Sequence, residues 1–535
     1  MKAVRKLALC SIPVLLLLSF AVFSAQPAAA QAYAVQRNPI VSHDVNHVTT
    51  PVPFRDMVSL PWGNQPKVML EHDRSGKPHI SNTPDALTQT LLLPQVSTTN
   101  GLSFDGIDDA QGGGFVPPDT NASVGDTQVV ETVNIAYEVY NKTTGVSEMG
   151  PTNIQTLYSP LGGECGTGNL SDPIVNYDKA AARWVITMIA FNNNFSVNDA
   201  CVAVSTTSDA TGAYNLYAFS YGKTLPDYPK VGVWPDAYYI TTDSFPNGGF
   251  FTGAESCALD RSNMLLGNPA TSVCFQRGSG DFALLPADLD GSTAPPSGAP
   301  NYQMDLASST KLNLYQFHVG SPFGVGATYT GPTTLTVSSY TDACAATGVC
   351  IVQPSPGEKL DALGDRLMFR LAYRNFGDHE ALVVNHSIKP SGSGKAVSGV
   401  RWYEIRSPGS SPVIFQSGTV GGGTSSVAKW MGSIAMDKNG DIALGYSKSN
   451  STTKPSIEYV GRVPTDGLGK MESPSLIKSG GGVQENSANR WGDYSSMAID
   501  PSDDCTFWYA QEYYKTTGSF NFSTHLASFK FTTCL

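Results

Sequence analysis

The chain has 535 residues with 34 Lys and Arg against 45 Asp and Glu, and no basic run of the kind that tracks a phosphate backbone, which makes nucleic acid and anionic membrane surfaces poor partners. Its formal charge of −11 becomes −14 if the three cations Lys2, Arg5 and Lys6 are removed with a leader. Fifty-two glycines and 35 prolines beside only 15% charged residues fit a turn-rich β protein.

Residues 1–30 place Lys2, Arg5 and Lys6 before an apolar stretch, 7–23, and a small-residue end, Ala28-Ala29-Ala30. That is the layout of a secretory signal peptide, with cleavage expected near Ala30 and a secreted or periplasmic destination. The alternative, a retained anchor, is disfavoured by the short apolar stretch and by Pro13. No later stretch approaches the ~20 apolar residues that a span needs. Past the leader stand Cys165, Cys201, Cys257, Cys274, Cys344, Cys350, Cys505 and Cys534. An even set in an exported chain reads as disulfides, most simply between sequence neighbours, although spacing alone does not choose the pairing. No Cys-x-x-Cys or Cys-x-x-His spacing favours structural zinc.

Residues 31–114 are rich in Pro, Asn and Thr and weakly periodic, so they are expected as an extended N-terminal arm or pro-segment across the main domain, 115–535. Beyond Ala122, short runs of Val, Ile, Tyr, Phe and Trp alternate with Gly, Asn, Asp and Pro clusters, the pattern of many short strands joined by turns. One phrase recurs: an apolar strand, a turn on Asp, and a second strand of aromatic or β-branched residues. Its turn residues are Asp126, Asp178, Asp236, Asp365, Asp437 and Asp500, with 363–373 a degenerate copy. The spacing is that of four-stranded blades, and predicts an all-β fold, a single β-propeller of six blades. The doubled interval between Asp236 and Asp365 leaves room for a seventh blade or a long insertion. A string of β-sandwich modules is the alternative architecture.

The run 489–513, which begins Asn-Arg-Trp-Gly-Asp-Tyr-Ser-Ser-Met-Ala-Ile-Asp-Pro, together with 360–374 and Val116-Pro-Pro-Asp-Thr-Asn121, resembles a group of large exported bacterial proteins described as sialidase-like or Asp-box-like propellers. The resemblance covers most of 116–535 and implies the propeller fold. The stretch 204–214 is similar to a sialidase Asp-box, with extra residues and Tyr in place of Trp. Such boxes stabilise turns, so this one argues fold and not catalysis.

Several phrases carry a second acid just upstream of the innermost strand: Asp119, Asp172, Asp227, Asp361 and Asp493. In a propeller these would converge on one channel mouth, where clustered carboxylates raise each other's proton affinity or hold Ca²⁺; each capping its own turn is the alternative. Arg366, Arg370, Arg374 and Arg490 stand nearby. The resemblance to sialidases implies an arginine grip on a substrate carboxylate, whereas the spacing of the first three equally suits salt bridges to Asp361, Asp365 and Asp378. The same resemblance implies a Tyr nucleophile activated by Glu, for which Glu512 with Tyr509, Tyr513 or Tyr514 is the candidate. His379 and His386 flank one strand and are not spaced as a metal pair. No Gly-x-Ser-x-Gly, His-Glu-x-x-His or phosphate-binding loop occurs.

The expected function is a monomeric exported propeller that binds or processes an extracellular glycan or similar polar ligand at its mouth. In the glycoside hydrolase version, Asp172, Asp227, Asp361, Asp493 and Glu512 supply the proton donor and the second carboxylate, and Arg490 and Arg370 bind substrate beside Trp491 and Tyr513. Trp234, Trp402, Trp430 and Trp508 are further candidates for sugar stacking. The rival expectation is a non-catalytic scaffold or adhesion module stabilised by Ca²⁺.

Overall fold

The computed structural model describes Met1, Val35–Gln36 and residues 42–62, 78–90 and 93–535. The expected leader, 1–30, lies outside the described residues apart from Met1.

The described chain is all-β, built from four-stranded antiparallel units that follow one another in sequence. The first is Asn121–Val124, Gln128–Val133, Ala136–Asn141 and Ser147–Asn153; the second is Asn169–Asp178, Arg183–Phe191, Asn198–Ser205 and Tyr214–Gly222. The third comprises Thr224–Val233, Tyr238–Pro246, Gly253–Leu259 and Ser272–Gln276, and the fourth Leu285–Asp290, Asn301–Ser308, Lys311–His318 and Thr328–Thr336. The fifth comprises Met368–Asn375, Glu380–Ile388, Gly399–Arg406 and Val413–Val420, and the sixth Ala428–Met436, Ile442–Ser449, Ser456–Arg462 and Ser475–Lys478. The seventh takes Ser496–Ile499, Thr506–Tyr514 and Phe522–Phe531 from the C-terminus and its outermost strand, Thr98–Asp108, from the N-terminal side. That last strand lies inside the stretch expected as an arm.

Strands near the centre of each unit are covered on both faces by neighbouring units, which is why they read as continuous apolar runs and not as alternating ones. Gln128–Val133 is buried throughout, and so is the Trp184–Ala190 segment of the second unit. Outermost strands such as Ser147–Asn153 and Val413–Val420 carry the exposed positions.

The first strands of successive units are tied to one another in a closed series. Val175 N–H donates to Asn121 Oδ1 at 2.9 Å, Asn176 Nδ2 to the Val231 carbonyl at 3.3 Å, and Val233 N–H to Asp288 Oδ1 at 2.9 Å. The first strands of the fourth and fifth units pair in parallel, which merges those two units into one nine-stranded sheet. Arg374 Nε donates to the Met436 carbonyl at 3.1 Å, Met497 N–H to Ser433 Oγ at 2.9 Å, and Ala122 N–H to Ser496 Oγ at 2.7 Å, which joins the seventh unit to the first. The seven first strands therefore bring residues far apart in sequence to common ends.

N-terminal residues also cover sheet edges. Val45–Thr49 adds a fifth strand to the second unit, Val35–Gln36 pairs with the outer strand of the fourth, and isolated bridges join Thr88 to Thr419 and Gln95 to Ser473. Covering the edges in this way removes templates for unwanted pairing. Four disulfides join Cys165 to Cys201, Cys257 to Cys274, Cys344 to Cys350 and Cys505 to Cys534.

Two details of the repeat differ from expectation. The fourth unit fills the doubled interval, and its first turn, 291–300, is a long Gly- and Pro-rich loop without the Asp phrase. Asp365 precedes the first strand of the fifth unit, whereas Asp126, Asp437 and Asp500 follow theirs and Asp178 ends its own; the matching turn of the fifth unit is 376–379.

Candidate functional site

The leading ends of the first strands share a backbone device. Asp119, Asp172, Tyr228, Ala283 and Met431 have φ of +50°, +56°, +53°, +48° and +52°, each two residues before regular strand pairing begins. In the second, third and sixth units the left-handed residue sits inside a register shift, between Ser171 and Ile174, Asp227 and Lys230, and Trp430 and Ser433. A bulge of this kind re-aims side chains, and Asp is among the residues that tolerate the left-handed region.

The result is a buried carboxylate cluster that draws on units one, two and seven. Asp119 Oδ2 accepts from Asn134 Nδ2 at 2.5 Å, and its Oδ1 accepts from the Asp493 N–H at 2.7 Å. Asn134 also accepts, through Oδ1, from the Asp172 N–H at 3.0 Å, and Ser171 Oγ donates to Asp172 Oδ1 at 2.7 Å. Burial, then the charges of Asp493 and Asp172, push the Asp119 carboxyl well above its usual range. Burial, followed by Asp227 and Asp493, raises Asp172 to about 7. Asp243, in the second strand of the third unit, is likewise raised by burial to about 7, although it accepts from the Ala283 N–H at 3.0 Å.

Lys230 is the cation among them. It is fully buried, donates to the Pro229 carbonyl at 2.9 Å, and lies 3.3 Å above the Tyr228 ring and 4.4 Å from that of Tyr494. Burial lowers it to about 8 against the opposing pull of Asp172, Asp493 and Asp119.

Glu512, on the second strand of the seventh unit, is 2% exposed and its Oε2 has no hydrogen-bond partner. Burial and the charges of Asp119 and Asp361 raise its carboxyl well above the ordinary range. Gly492 faces it: a Cβ there would stand 3.4 Å from Oε2, and the φ of +99° excludes most side chains in any case.

Beside the cluster opens a cavity of about 300 Å³ whose walls include Asp342, Asp361, Asp365, Arg366, Arg490 and the Cys344–Cys350 loop. Arg490 hydrogen-bonds Asp493 through Nη2 and places Nε 3.4 Å from Asp361 Oδ2. Arg366 donates to Asp365 at 2.8 Å and lies over the rings of Tyr228 and Phe282.

The structure thus gathers Asp172, Asp361, Asp493, Glu512 and Arg490 near one end, with Asp227 half-buried and close enough to Asp172 to raise its proton affinity. Others lie elsewhere. Arg370 is buried among the first strands, 2.8 Å from Asp288 and 2.6 Å from Asp290, and Arg374 grips Asp504; neither meets Asp361, Asp365 or Asp378, because a first strand faces its neighbouring units and not its own turns. Tyr513 donates to Asp105 at 2.7 Å, on the outer strand of the seventh unit. Trp491, Trp234, Trp402 and Trp430 are 1% exposed or less and Trp508 6%, so none offers a stacking face. His386 is buried beside Tyr403. The Asp-box-like loop behaves as a turn, with Asp209 accepting from the Thr211 N–H and hydroxyl. Lys230 and Asn134 were not singled out by sequence; the one signal was a Lys within the buried first strand Thr224–Val233.

Among the described residues the one group placed to ligate a metal is His43, Glu255, Cys257 and Cys274, whose two sulfurs are joined to each other; the mouth carboxylates form no such set.

No protein-family model matches the chain, and no curated protein sequence does. Among solved structures it is similar to an α-L-arabinanase from Penicillium chrysogenum in complex with arabinobiose (9% identity, 70% of this chain and 100% of that one, TM-score 0.34). It is also similar to the α-L-arabinofuranosidase Arb93A of Fusarium graminearum with an iminosugar inhibitor (9%, 81% and 98%, TM-score 0.34) and to a Trypanosoma rangeli sialidase with the inhibitor DANA (11%, 68% and 55%, TM-score 0.31). At this distance none of them assigns a residue or an activity to this chain.

Proposed function

We propose that the seven units are the blades of one β-propeller, that the protein is exported and acts as a monomer, and that its leading-end mouth binds and hydrolyses an extracellular glycan. The observation that carries the reading is a cavity lined by Asp361 and Arg490, in which Arg490 is held between Asp361 and Asp493 and Asp361 stands close enough to the buried Glu512 carboxyl to raise its proton affinity. Glycosidic cleavage needs one carboxylic acid that donates a proton and one ionised carboxylate, and environments that separate two carboxyls in proton affinity make that assignment. Glu512 is the donor in this scheme. Asp493, on the Arg490 guanidinium, is the second carboxylate, Asp361 lines the sugar site, and Asp172, with Asp227 beside it, draws on the Lys230 ammonium behind it. Four disulfides support an oxidising destination.

The test is a glycan array with a chromogenic glycoside panel on the wild type, Glu512→Gln and Asp493→Asn. Each substitution is expected to cut turnover by about 10²–10⁴-fold, the usual size of a general acid or base contribution, while glycan binding persists. A wild type that neither binds nor cleaves any glycan, or a Glu512→Gln variant with undiminished turnover, refutes the reading.

A further inference from the structure

A second site lies where the N-terminal segment meets the third unit. His43, just ahead of the added strand Val45–Thr49, lies against the fourth strand of that unit, where its N–H donates to Ser272 Oγ at 3.1 Å. The third strand supplies Glu255 and Cys257, two residues apart and so on one face, and the fourth supplies Cys274 directly opposite Cys257. The two cysteines are separated by 17 in sequence, so strand pairing and not chain spacing makes them neighbours.

The four side chains are arranged as metal ligands are. All are buried, and one donor atom from each lies within 4.8 Å of the others. His43 Nδ1 donates to the Ser220 carbonyl at 2.7 Å, which turns Nε2 toward Glu255 Oε1, 2.6 Å away. A ring N–H given to a carbonyl is the support that fixes tautomer and orientation in metal-binding histidines. With Nδ1 committed, the contact between Nε2 and Oε1 holds a proton that either atom can carry, and a cation can take its place. Cys257 Sγ stands 3.3 Å from the same carboxylate oxygen, and the Tyr221 ring stacks on the imidazole at 3.9 Å. A disulfide sulfur lacks the thiolate charge that binds a metal, so the site is closed to one while Cys257 and Cys274 are joined.

We propose that the Cys257–Cys274 disulfide is one of two states of this site, and that the reduced state binds one Zn²⁺ through His43, Glu255, Cys257 and Cys274. A dithiol reductant opens the bond by exchange: its own thiols become a disulfide, two electrons pass to the protein, and Cys257 and Cys274 become thiols. Zn²⁺ then displaces the two thiol protons and the one between His43 and Glu255. Two thiolates, an imidazole and a carboxylate make up the closed four-ligand set of a structural zinc site. The ion replaces the disulfide as the tie between the third and fourth strands, and through His43 it also fastens the N-terminal segment, which the disulfide does not. None of the four residues lines the mouth cavity, so the proposal is independent of the glycan reading.

The test reduces the full chain with dithiothreitol, removes the reductant without air, and titrates with Co²⁺, whose charge-transfer absorption reports thiolate ligation, and then with Zn²⁺ in competition. The reduced wild type is expected to take up one equivalent of Co²⁺ with that absorption, to surrender the site to Zn²⁺, and to unfold at a higher temperature when Zn²⁺ is present. The oxidised chain is expected to do none of these. His43→Ala and Glu255→Gln keep both cysteines and are expected to bind Zn²⁺ about 10-fold or more weakly. Replacing Cys257 and Cys274 together by Ser is expected to abolish the absorption while the other cysteines remain. The proposal is overturned by a reduced chain that binds no Co²⁺ or unfolds alike with and without Zn²⁺, by thiolate absorption that survives the double Ser replacement, or by His43→Ala and Glu255→Gln variants that hold Zn²⁺ as tightly as the wild type.

Discussion

The leading and trailing ends of the first strands both bury charge, but they treat it in opposite ways. At the trailing end, charges are matched: Asp178 with Arg261 at 2.7 Å, Asp288 and Asp290 with Arg370, Asp504 with Arg374, and Asp500 with Lys142 at 2.9 Å. Burial works against ionisation of Asp290, yet Arg370 and Lys179 hold it below the ordinary carboxylate range. At the leading end Asp119, Asp172 and Glu512 are raised instead. Two first turns are trailing-end exceptions: the Asp437–Asp441 pair of the sixth unit, with Asp437 raised by burial and by Asp441 to about 8, and Asp236 of the third, raised by burial. Matched charge locks neighbouring units together; unmatched charge costs stability and is retained where chemistry uses it.

The sharpest way to break this contrast is to unpair the trailing end. Arg370→Met leaves Asp288 buried without its cation and Asp290 with only Lys179, and is expected to cost about 3–5 kcal/mol in denaturant unfolding. A cost below about 1 kcal/mol would mean that the pairing is not structural. Next in size is the Cys505–Cys534 disulfide, which ties the C-terminal residues to the strand beside Asp504; replacing both cysteines by Ser is expected to cost about 3 kcal/mol.

The leading end gives a pH signature of the opposite sign. Asp172 and Asp243 have folded-state proton affinities near 7, above the unfolded value, so their contribution is fully present below about pH 4 and is lost as pH rises through 7. Thermal unfolding should therefore move to lower temperature between pH 5 and pH 8.5. Asp243→Asn is expected to flatten that fall and to stabilise the chain by about 2 kcal/mol at pH 8.5. A midpoint that climbs over the same range, with no difference in the variant, would show these carboxyls to be ionised without penalty.

The same contrast explains what was legible in the sequence. Hairpins are local, so the strand, Asp turn, strand phrase marked most units. The fourth was hidden because its turn is a ten-residue Gly and Pro loop, and Thr98–Asp108 because its partner strand lies more than 400 residues away. Carboxylates near the leading ends of first strands stand out in the sequence, but only Asp119 and Asp172 share one backbone position, whereas Asp227, Asp361 and Asp493 sit at different distances from their strands. Arginine partners do not stand out: Arg370 and Arg374 find Asp288, Asp290 and Asp504 on other units, and only closure brings those together. Tryptophans fit both a stacking and a core role in the sequence, and the structure buries them, because size alone does not reveal which face of a strand meets the next unit.

The smallest expected effect tests whether pairing matters by itself or only when buried. Asp105, on the outer strand that closes the seventh unit, meets Lys478 at 2.8 Å, His525 Nδ1 at 2.7 Å and the Tyr513 hydroxyl at 2.7 Å, and so links the sixth unit to the seventh. Partial burial opposes ionisation, but Lys478, His525 and Tyr513 outweigh it and hold the carboxyl well below its usual range. A depressed carboxyl contributes above the unfolded value near pH 4, and that contribution fades as pH falls below it. Because the Asp105 side chain is 34% exposed and Lys478 30%, solvent screens the pair, and Asp105→Asn is expected to cost only about 1 kcal/mol at pH 7, less at high salt and progressively less as pH falls from 4 toward 2. If it instead costs as much as Arg370→Met, burial is not what distinguishes the channel pairs from the rim, and the contrast between the two ends reduces to a count of charges.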